Sequence, residues 1–96
     1  MKIDPNQLRE VSIAIGDSIY IQVENWNLYL RDAGLADSLA IECMANLENG
    51  ANIAARKALE SVEVKMGGGN TKFPLIRLIS SSQIFELEEI LEPYCG

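Results

Sequence analysis

A run of three glycines and an asparagine, Gly67 to Asn70, separates two short apolar segments of the chain. Before it, apolar and charged residues alternate from Val62 to Met66, which is the pattern of a strand with one buried face. After it, Thr71 to Phe73 are suited to return as a second strand before Pro74, which has no N–H for a ladder. Because glycine and asparagine readily adopt positive φ angles, the sequence predicts a β-hairpin here.

The predicted hairpin also lies in the one basic window of an acidic chain. The protein has a net charge of −6, yet residues 65–85 contain three cations and no acid. Open glycine N–H groups beside lysines would attract a phosphate or a carboxylate. A plain tight hairpin without a ligand is the alternative. The predicted anion or partner contact consists of Lys65, Gly67, Gly68, Gly69, Asn70, Lys72 and Arg77.

Upstream of the hairpin, apolar residues recur every three or four positions over more than twenty residues, which predicts a helix from about residue 5 to residue 32. Asp4 followed by Pro5 is typical of a helix start, and Gly34 of a helix end. A strand is the alternative over residues 19–23, where β-branched residues alternate with polar ones. The apolar positions are Leu8, Val11, Ile15, Ile19, Val23, Trp26 and Leu30.

A continuous helix of this length would extend about 42 Å. That is long for one small domain, so we expect either a bend near Gly16 or self-association as a two-fold dimer. On such a helix, Trp26 and Tyr29 would project from adjoining faces. Trp26 would anchor the core, and the alternative is an exposed aromatic contact with a partner or a membrane interface.

Three further helices are predicted downstream, over residues 36–47, 52–59 and 81–92. Asn52 is the expected cap of the second of them, and Ser80 with Gln83 forms a capping-box pattern before the last. A chain of 96 residues makes one domain. The predicted fold is therefore mostly α, with four or five helices and one small β-hairpin.

The sequence contains no histidine, which excludes histidine-based general bases and nucleophile pairs. Cys43 falls in a helical apolar pattern and is expected in the core, whereas Cys95 is next to last. The acidic residues of the last helix are interpreted as a solvated face. We therefore predict a non-enzymatic protein with no catalytic residue, metal site or cofactor.

Charge and hydropathy also limit the partners and the compartment. An isoelectric point near 4.5 argues against nucleic acid as a partner. No apolar run approaches the roughly 20 residues that span a bilayer, and Met1 to Pro5 lacks the apolar core of a signal peptide. Two cysteines without a pairing pattern fit a reducing compartment, so a cytoplasmic location is expected.

A few segments of the chain, together with the apolar pattern of the last predicted helix, are similar to those of a known family. They are Ile19 to Ile21, Trp26 to Leu30, Asp32-Ala33, Val64 to Gly69 and Pro74-Leu75. Together they resemble a family of small cyanobacterial thylakoid-associated proteins of unknown function, over about residues 8–94. The resemblance implies no established activity. It does imply a location peripheral to thylakoid membranes on the cytoplasmic side. We therefore predict an interaction protein with a protein partner and weak contact with anionic membrane; the alternative is a small-ligand or anion-binding module that uses Gly67 to Asn70.

Overall fold

The computed structural model describes residues 4–23, 25–66 and 71–95, and most of these residues are helical. Five α-helices lie within the described residues: α1 Pro5–Ser18, α2 Leu30–Ala33, α3 Ala36–Ala45, α4 Ala51–Ser61 and α5 Ser81–Leu91. Four strands form two antiparallel pairs: β1 Tyr20–Val23 with β2 Trp26–Tyr29, and β3 Glu63–Met66 with β4 Thr71–Pro74. The predicted mostly α fold is confirmed, and the β1–β2 pair adds a second hairpin to the one predicted.

The predicted continuous helix from residue 5 to residue 32 is wrong. α1 ends at Ser18, and Ile19 already has an extended backbone with φ −98° and ψ 134°. The β-branched residues Ile19, Ile21 and Val23 favour a strand over a helix in this segment. The alternative strand interpretation of this segment is therefore confirmed, and the overlong helix that motivated the predicted dimer does not exist.

The first hairpin carries its apolar residues into the core by strand alternation. The N–H of Leu30 donates to the carbonyl of Ile19 at 2.9 Å, and both side chains are fully buried. Ile21 lies two residues along the same strand and is also buried. Ile19 and Leu30 therefore reach the core that the helical pattern had predicted for them. Ile21, which lay outside that pattern, joins them because alternate side chains of an extended segment share a face.

Four helices enclose the core. α3 packs against α1 and α4, and α5 packs against α4 and α1. The buried alanines of α4 have small side chains, so the backbones of α3 and α5 can approach α4 closely. The fully buried side chains include Val11, Ile15, Leu39, Ala40, Cys43, Ala54, Ala55, Ala58, Leu59, Leu75, Leu87 and Leu91.

Helix ends follow the predicted local signals with one exception. The carboxylate of Asp4 accepts the N–H of Asn6 at 2.8 Å, as an N-cap does. At the end of α2, Gly34 has φ 73°, and the N–H of Leu35 donates to Leu30 at 3.0 Å, which is a Schellman turn. The predicted cap Asn52 is wrong, because α4 begins one residue earlier and Gly50 precedes it.

The second hairpin forms where it was predicted. The N–H of Leu75 donates to the carbonyl of Val62 at 2.8 Å and extends the ladder past Pro74. Pro74 is the last residue of β4, and a short 3₁₀ turn, Leu75–Arg77, follows it. The glycine loop, Gly67 to Asn70, lies outside the described residues.

Candidate functional site

Lys65 of β3 stands directly opposite Lys72 of β4. Because Val62 and Leu75 form a hydrogen-bonded pair, strict alternation makes Lys65 and Lys72 a pair without mutual hydrogen bonds. In such pairs the Cα atoms lie about 4.5 Å apart and both side chains leave the same face. Both lysines are exposed, so the hairpin presents two adjacent positive charges to solvent.

Arg77, the third predicted cation, does not join the lysine pair. Its guanidinium carbon lies 5.9 Å from the centroid of the Phe73 ring, in a cation–π contact. Phe73 neighbours Lys72 on β4, so its side chain projects from the opposite face of the hairpin. The seven predicted residues therefore divide into a lysine pair, an arginine on the other face, and four loop residues outside the described part of the chain.

Glu63 is a member of the lysine face that the sequence prediction left out. It lies two residues before Lys65 on β3 and is exposed, so alternation places both side chains on one face. Lys72 is its diagonal neighbour across the ladder. The alternation of residues in the predicted strand already placed Glu63 and Lys65 on the same face. The Glu63 carboxylate offsets positive charge where β3 begins, next to the core. The remaining positive charge of the lysine pair therefore lies nearer the loop.

The aromatic residues are arranged by the first hairpin. Tyr20 stands opposite Tyr29, with ring centroids 5.3 Å apart and planes tilted by 58°. The predicted placement of Trp26 and Tyr29 on adjoining helical faces is wrong, because both residues belong to strand β2. The Trp26 side chain lies outside what the structure describes, so its predicted role in the core stays a prediction.

A separate exposed apolar surface lies between α1 and α3. The side chains of Ile13 and Ile41 are 57% and 45% exposed, and both line a depression of about 390 Å³. A second depression, of about 370 Å³, also includes Ile13 and continues to Asp17 and Arg31. The sequence analysis missed this surface because both isoleucines lie off the predicted core faces.

Polar contacts and one glycine fix the walls of this surface. The hydroxyl of Ser12 donates to the carboxylate of Asp37, which ties α1 to α3. The guanidinium of Arg31 donates to Asp17 at 2.7 Å and ties α2 to α1. A Cβ on Gly16 would lie 3.0 Å from the Cβ of Arg31, so α1 and α2 meet here without space for a side chain.

The two cysteines are free thiols and differ in burial. Cys43 is fully buried, and burial raises the pKa of its thiol to about 12, with a smaller contribution from the Glu42 carboxylate. Burial, followed by the Glu92 carboxylate, also raises the pKa of Cys95. At neutral pH both groups are therefore protonated and weakly nucleophilic. Within residues 4–23, 25–66 and 71–95, no group of three or more potential ligand residues is placed to hold a metal ion.

Comparison with known proteins gives two matches over nearly the whole chain. The model of the family DUF3181, described as a protein of unknown function, matches residues 8–94. The thylakoid-associated protein slr0729 of Synechocystis sp. (strain ATCC 27184 / PCC 6803 / Kazusa) is 31% identical over 90 residues, which cover 92% of this chain and 89% of that protein. These matches confirm the predicted resemblance. No solved structure matches the chain.

None of the helices in the described part of the chain combines the length and the apolar character that a membrane span needs.

Proposed function

Because the chain belongs to the DUF3181 family of proteins of unknown function, we propose its function from its own surface and from the name of its thylakoid-associated relative. The protein is a non-enzymatic interaction protein, peripheral to the thylakoid membrane on its cytoplasmic side. The opposed pair of Lys65 and Lys72 on an exposed hairpin is the observation that carries this proposal.

The lysine pair supplies the attraction to an anionic membrane surface. A basic residue close to such a surface contributes about 1 kcal/mol. Two lysines on one face therefore raise binding by at most roughly 30-fold, and the Glu63 carboxylate on the same face reduces this gain. The net charge of −6 opposes approach in any other orientation, so the protein binds with the hairpin toward the membrane.

This attraction is too weak to hold the protein at the membrane by itself, so a second contact is required. A membrane-bound protein partner supplies it, and an exposed aromatic side chain is the kind of surface that such a partner covers. Phe85 provides one, since its side chain is 65% exposed on the outer face of α5.

The chemistry of the chain supports a role in binding rather than in catalysis. It has no histidine, and burial keeps Cys43 as an unreactive thiol. Two free cysteines also support the reducing, cytoplasmic side of the membrane.

Co-sedimentation with vesicles tests the proposal. At about 0.01 M salt we expect weak binding to vesicles that contain phosphatidylglycerol, even without the protein partner, and none to phosphatidylcholine alone. Binding should weaken between about 0.01 M and about 1 M salt, where the screening length falls from about 30 Å to about 3 Å. The double variant Lys65→Glu with Lys72→Glu should bind at least about tenfold more weakly, since it replaces attraction by repulsion.

Arg56 and Lys57 provide the matched control. Both are exposed on α4, and the double variant Arg56→Glu with Lys57→Glu changes the net charge by the same amount. We expect a much smaller loss of binding for this control. If both variants lose binding equally, then the net charge of the protein determines the binding, and the lysine pair has no specific role.

A second function is favoured by the same lysine pair, which adjoins the predicted glycine loop. In that case the site is a small-ligand or anion-binding module for free phosphate or carboxylate. Titration with inorganic phosphate at constant ionic strength distinguishes the two functions. Saturable NMR shifts at Lys65 and Lys72, together with release from vesicles, would favour the free anion, whereas vesicle binding that phosphate leaves unchanged would favour the membrane.

A further inference from the structure

Three exposed residues form an evenly spaced stripe along α1. Arg9, Ile13 and Asp17 are four residues apart, so they follow one another on the same side of the helix. All three side chains contact the depressions between α1 and α3. The stripe therefore reads cation, apolar, anion, with Ile13 at its centre.

This order is self-complementary. If a second identical helix runs antiparallel across the first with the two Ile13 side chains in contact, each Arg9 faces an Asp17. A two-fold axis beside Ile13 generates both ion pairs from one contact. Ile41, which lines the same depression from α3, adds apolar surface on each side.

We propose that this surface binds a second copy of the same chain, with the two α1 helices antiparallel about a two-fold axis at Ile13. The proposal concerns the face between α1 and α3 and does not depend on the lysine pair or on membrane binding. The self-complementary charge pattern selects a second copy over an unrelated partner.

The distances along the helix are compatible with this arrangement. At 1.5 Å per residue, Arg9 and Asp17 each lie about 6 Å from Ile13 along the axis. Packed helices lie 8–10 Å apart, a separation that arginine and aspartate side chains span. The two ion pairs would therefore flank the apolar contact symmetrically.

Both charged residues are available for a second contact. Among the residues that the structure describes, Arg9 has no ion-pair partner. Asp17 accepts one hydrogen bond from Arg31, yet its side chain is 49% exposed. An ionised carboxylate has about four acceptor positions, so Asp17 accepts a further donor without losing Arg31.

The size of the surface predicts a weak dimer. A standard stable interface buries about 800 Å² on each partner, which is more than a tenth of the 5946 Å² surface of this chain. A single stripe of α1 with the edge of α3 provides less than that. We therefore expect an equilibrium between monomer and dimer that depends on protein concentration.

Sedimentation equilibrium from micromolar to millimolar concentration tests the proposal on the whole chain. We expect a two-state monomer–dimer equilibrium. Ile13→Ala should raise the dissociation constant at least about tenfold, because it removes the central contact of both copies. Ile53→Ala is the matched control, since Ile53 is 42% exposed on α4 and should leave the constant unchanged.

Charge exchange tests the antiparallel geometry. Arg9→Asp alone and Asp17→Arg alone should each weaken the dimer at least about tenfold, because each change places like charges opposite one another twice. The double variant Arg9→Asp with Asp17→Arg should restore most of the affinity. Arg56→Asp, on exposed α4, is the control for a general change of charge.

Two results would overturn the proposal. A chain that stays monomeric up to millimolar concentration has no self-association at this surface. A dimer that Arg9→Asp leaves unchanged, or that Ile53→Ala weakens as much as Ile13→Ala does, is held by a different surface. Circular dichroism of each variant establishes that the fold is retained.

Discussion

The side-chain oxygen of Gln83 accepts a hydrogen bond from the backbone N–H of Tyr20 at 2.8 Å and links α5 to β1 across 63 residues of chain. Ile19 and Leu30 form a hydrogen-bonded pair, so alternation directs the Tyr20 N–H away from β2. Gln83 is buried, with 9% of its surface exposed. It therefore satisfies a donor on the edge of a two-stranded sheet that no further strand in the described part of the chain covers.

We expect Gln83→Leu to destabilise the protein by about 1–3 kcal/mol, because the Tyr20 N–H would lose its acceptor while leucine fills a similar volume. Urea denaturation measures the change, and hydrogen exchange at Tyr20 should become faster. Gln7→Leu on the exposed side of α1 is the control and should stay within about 0.5 kcal/mol. An unchanged stability of the Gln83 variant would mean that water replaces the amide.

The same contact shows where sequence reasoning about helix ends succeeds and where it stops. The hydroxyl of Ser80 accepts the N–H of Gln83 at 3.3 Å, as the capping pattern predicted. That bond is local, and the spacing of three residues specifies it. The side chain of Gln83 instead contacts a residue that is distant in sequence, and no local pattern indicates which distant donor lacks an acceptor.

The first hairpin was missed for a related reason. Apolar residues from Leu8 to Leu30 fit one helical face, and the core does bury Ile15, Ile19 and Leu30. One continuous helix and a helix followed by a hairpin would bury these side chains equally well. The strand signal covered only about five residues, and the sequence between Val23 and Trp26 contains no glycine, which marks many tight hairpins. The helical periodicity, which extends over more residues than the strand alternation, therefore led to the wrong prediction.

Gly16 is expected to resist substitution although it lies inside a helix. A methyl group there would lie 3.0 Å from the Cβ of Arg31 and 3.3 Å from that of Ala36. Neither Cβ can rotate away, so the backbones must separate, which costs about 1–3 kcal/mol. This exceeds the gain of up to about 1 kcal/mol from helix propensity. Gly16→Ala should therefore lower the free energy of unfolding, measured by urea denaturation.

Gly34 provides a contrasting control, because nothing lies within 4 Å of a Cβ there but φ is +73°. Gly34→Ala should cost about 1–2 kcal/mol through backbone strain alone. Gly34→Asn should cost less, since asparagine tolerates this conformation. If Gly16→Ala stabilises the protein instead, then α1 separates from α2 and α3 without loss of packing.

Cys43 should make the stability fall at alkaline pH. Its pKa is about 12 in the folded protein, against about 9 for an ordinary thiol. Between these values the unfolded chain releases a proton that the folded protein retains. Stability is therefore unaffected below about pH 9 and falls by up to about 1.4 kcal/mol per pH unit above it. Urea denaturation between pH 8 and pH 11 should show a shallower decline in Cys43→Ala than in the natural protein.

The lysine face was predictable because period two alone places Lys65 and Lys72 on one face once a hairpin is recognised. The position of Arg77 was not predictable. It depends on the 3₁₀ turn after Pro74 and on the ring of Phe73, which the arginine contacts on the other side of the hairpin. The three cations were grouped in the prediction because they are close in sequence. In the structure, Lys65 and Lys72 share one face of the hairpin, and Arg77 lies on the other.

The opposed lysines should make the hairpin less stable than its backbone allows. Like charges directly opposite on a strand pair are destabilising, by a few tenths to about 1 kcal/mol. Lys72→Thr removes this repulsion and introduces a residue that favours strands. We therefore expect a rise in the free energy of unfolding of about 0.5 kcal/mol in urea denaturation, together with weaker binding to vesicles that contain phosphatidylglycerol.

Lys72→Arg separates charge from side-chain identity in this experiment. It keeps the positive charge, so both the stability and the vesicle binding should stay close to those of the natural protein. Opposite effects of Lys72→Thr on stability and on binding would indicate that the lysine pair serves recognition at the expense of the fold. If Lys72→Thr lowers the stability, then Glu63, its diagonal neighbour, compensates the repulsion, and the pair has a structural role instead.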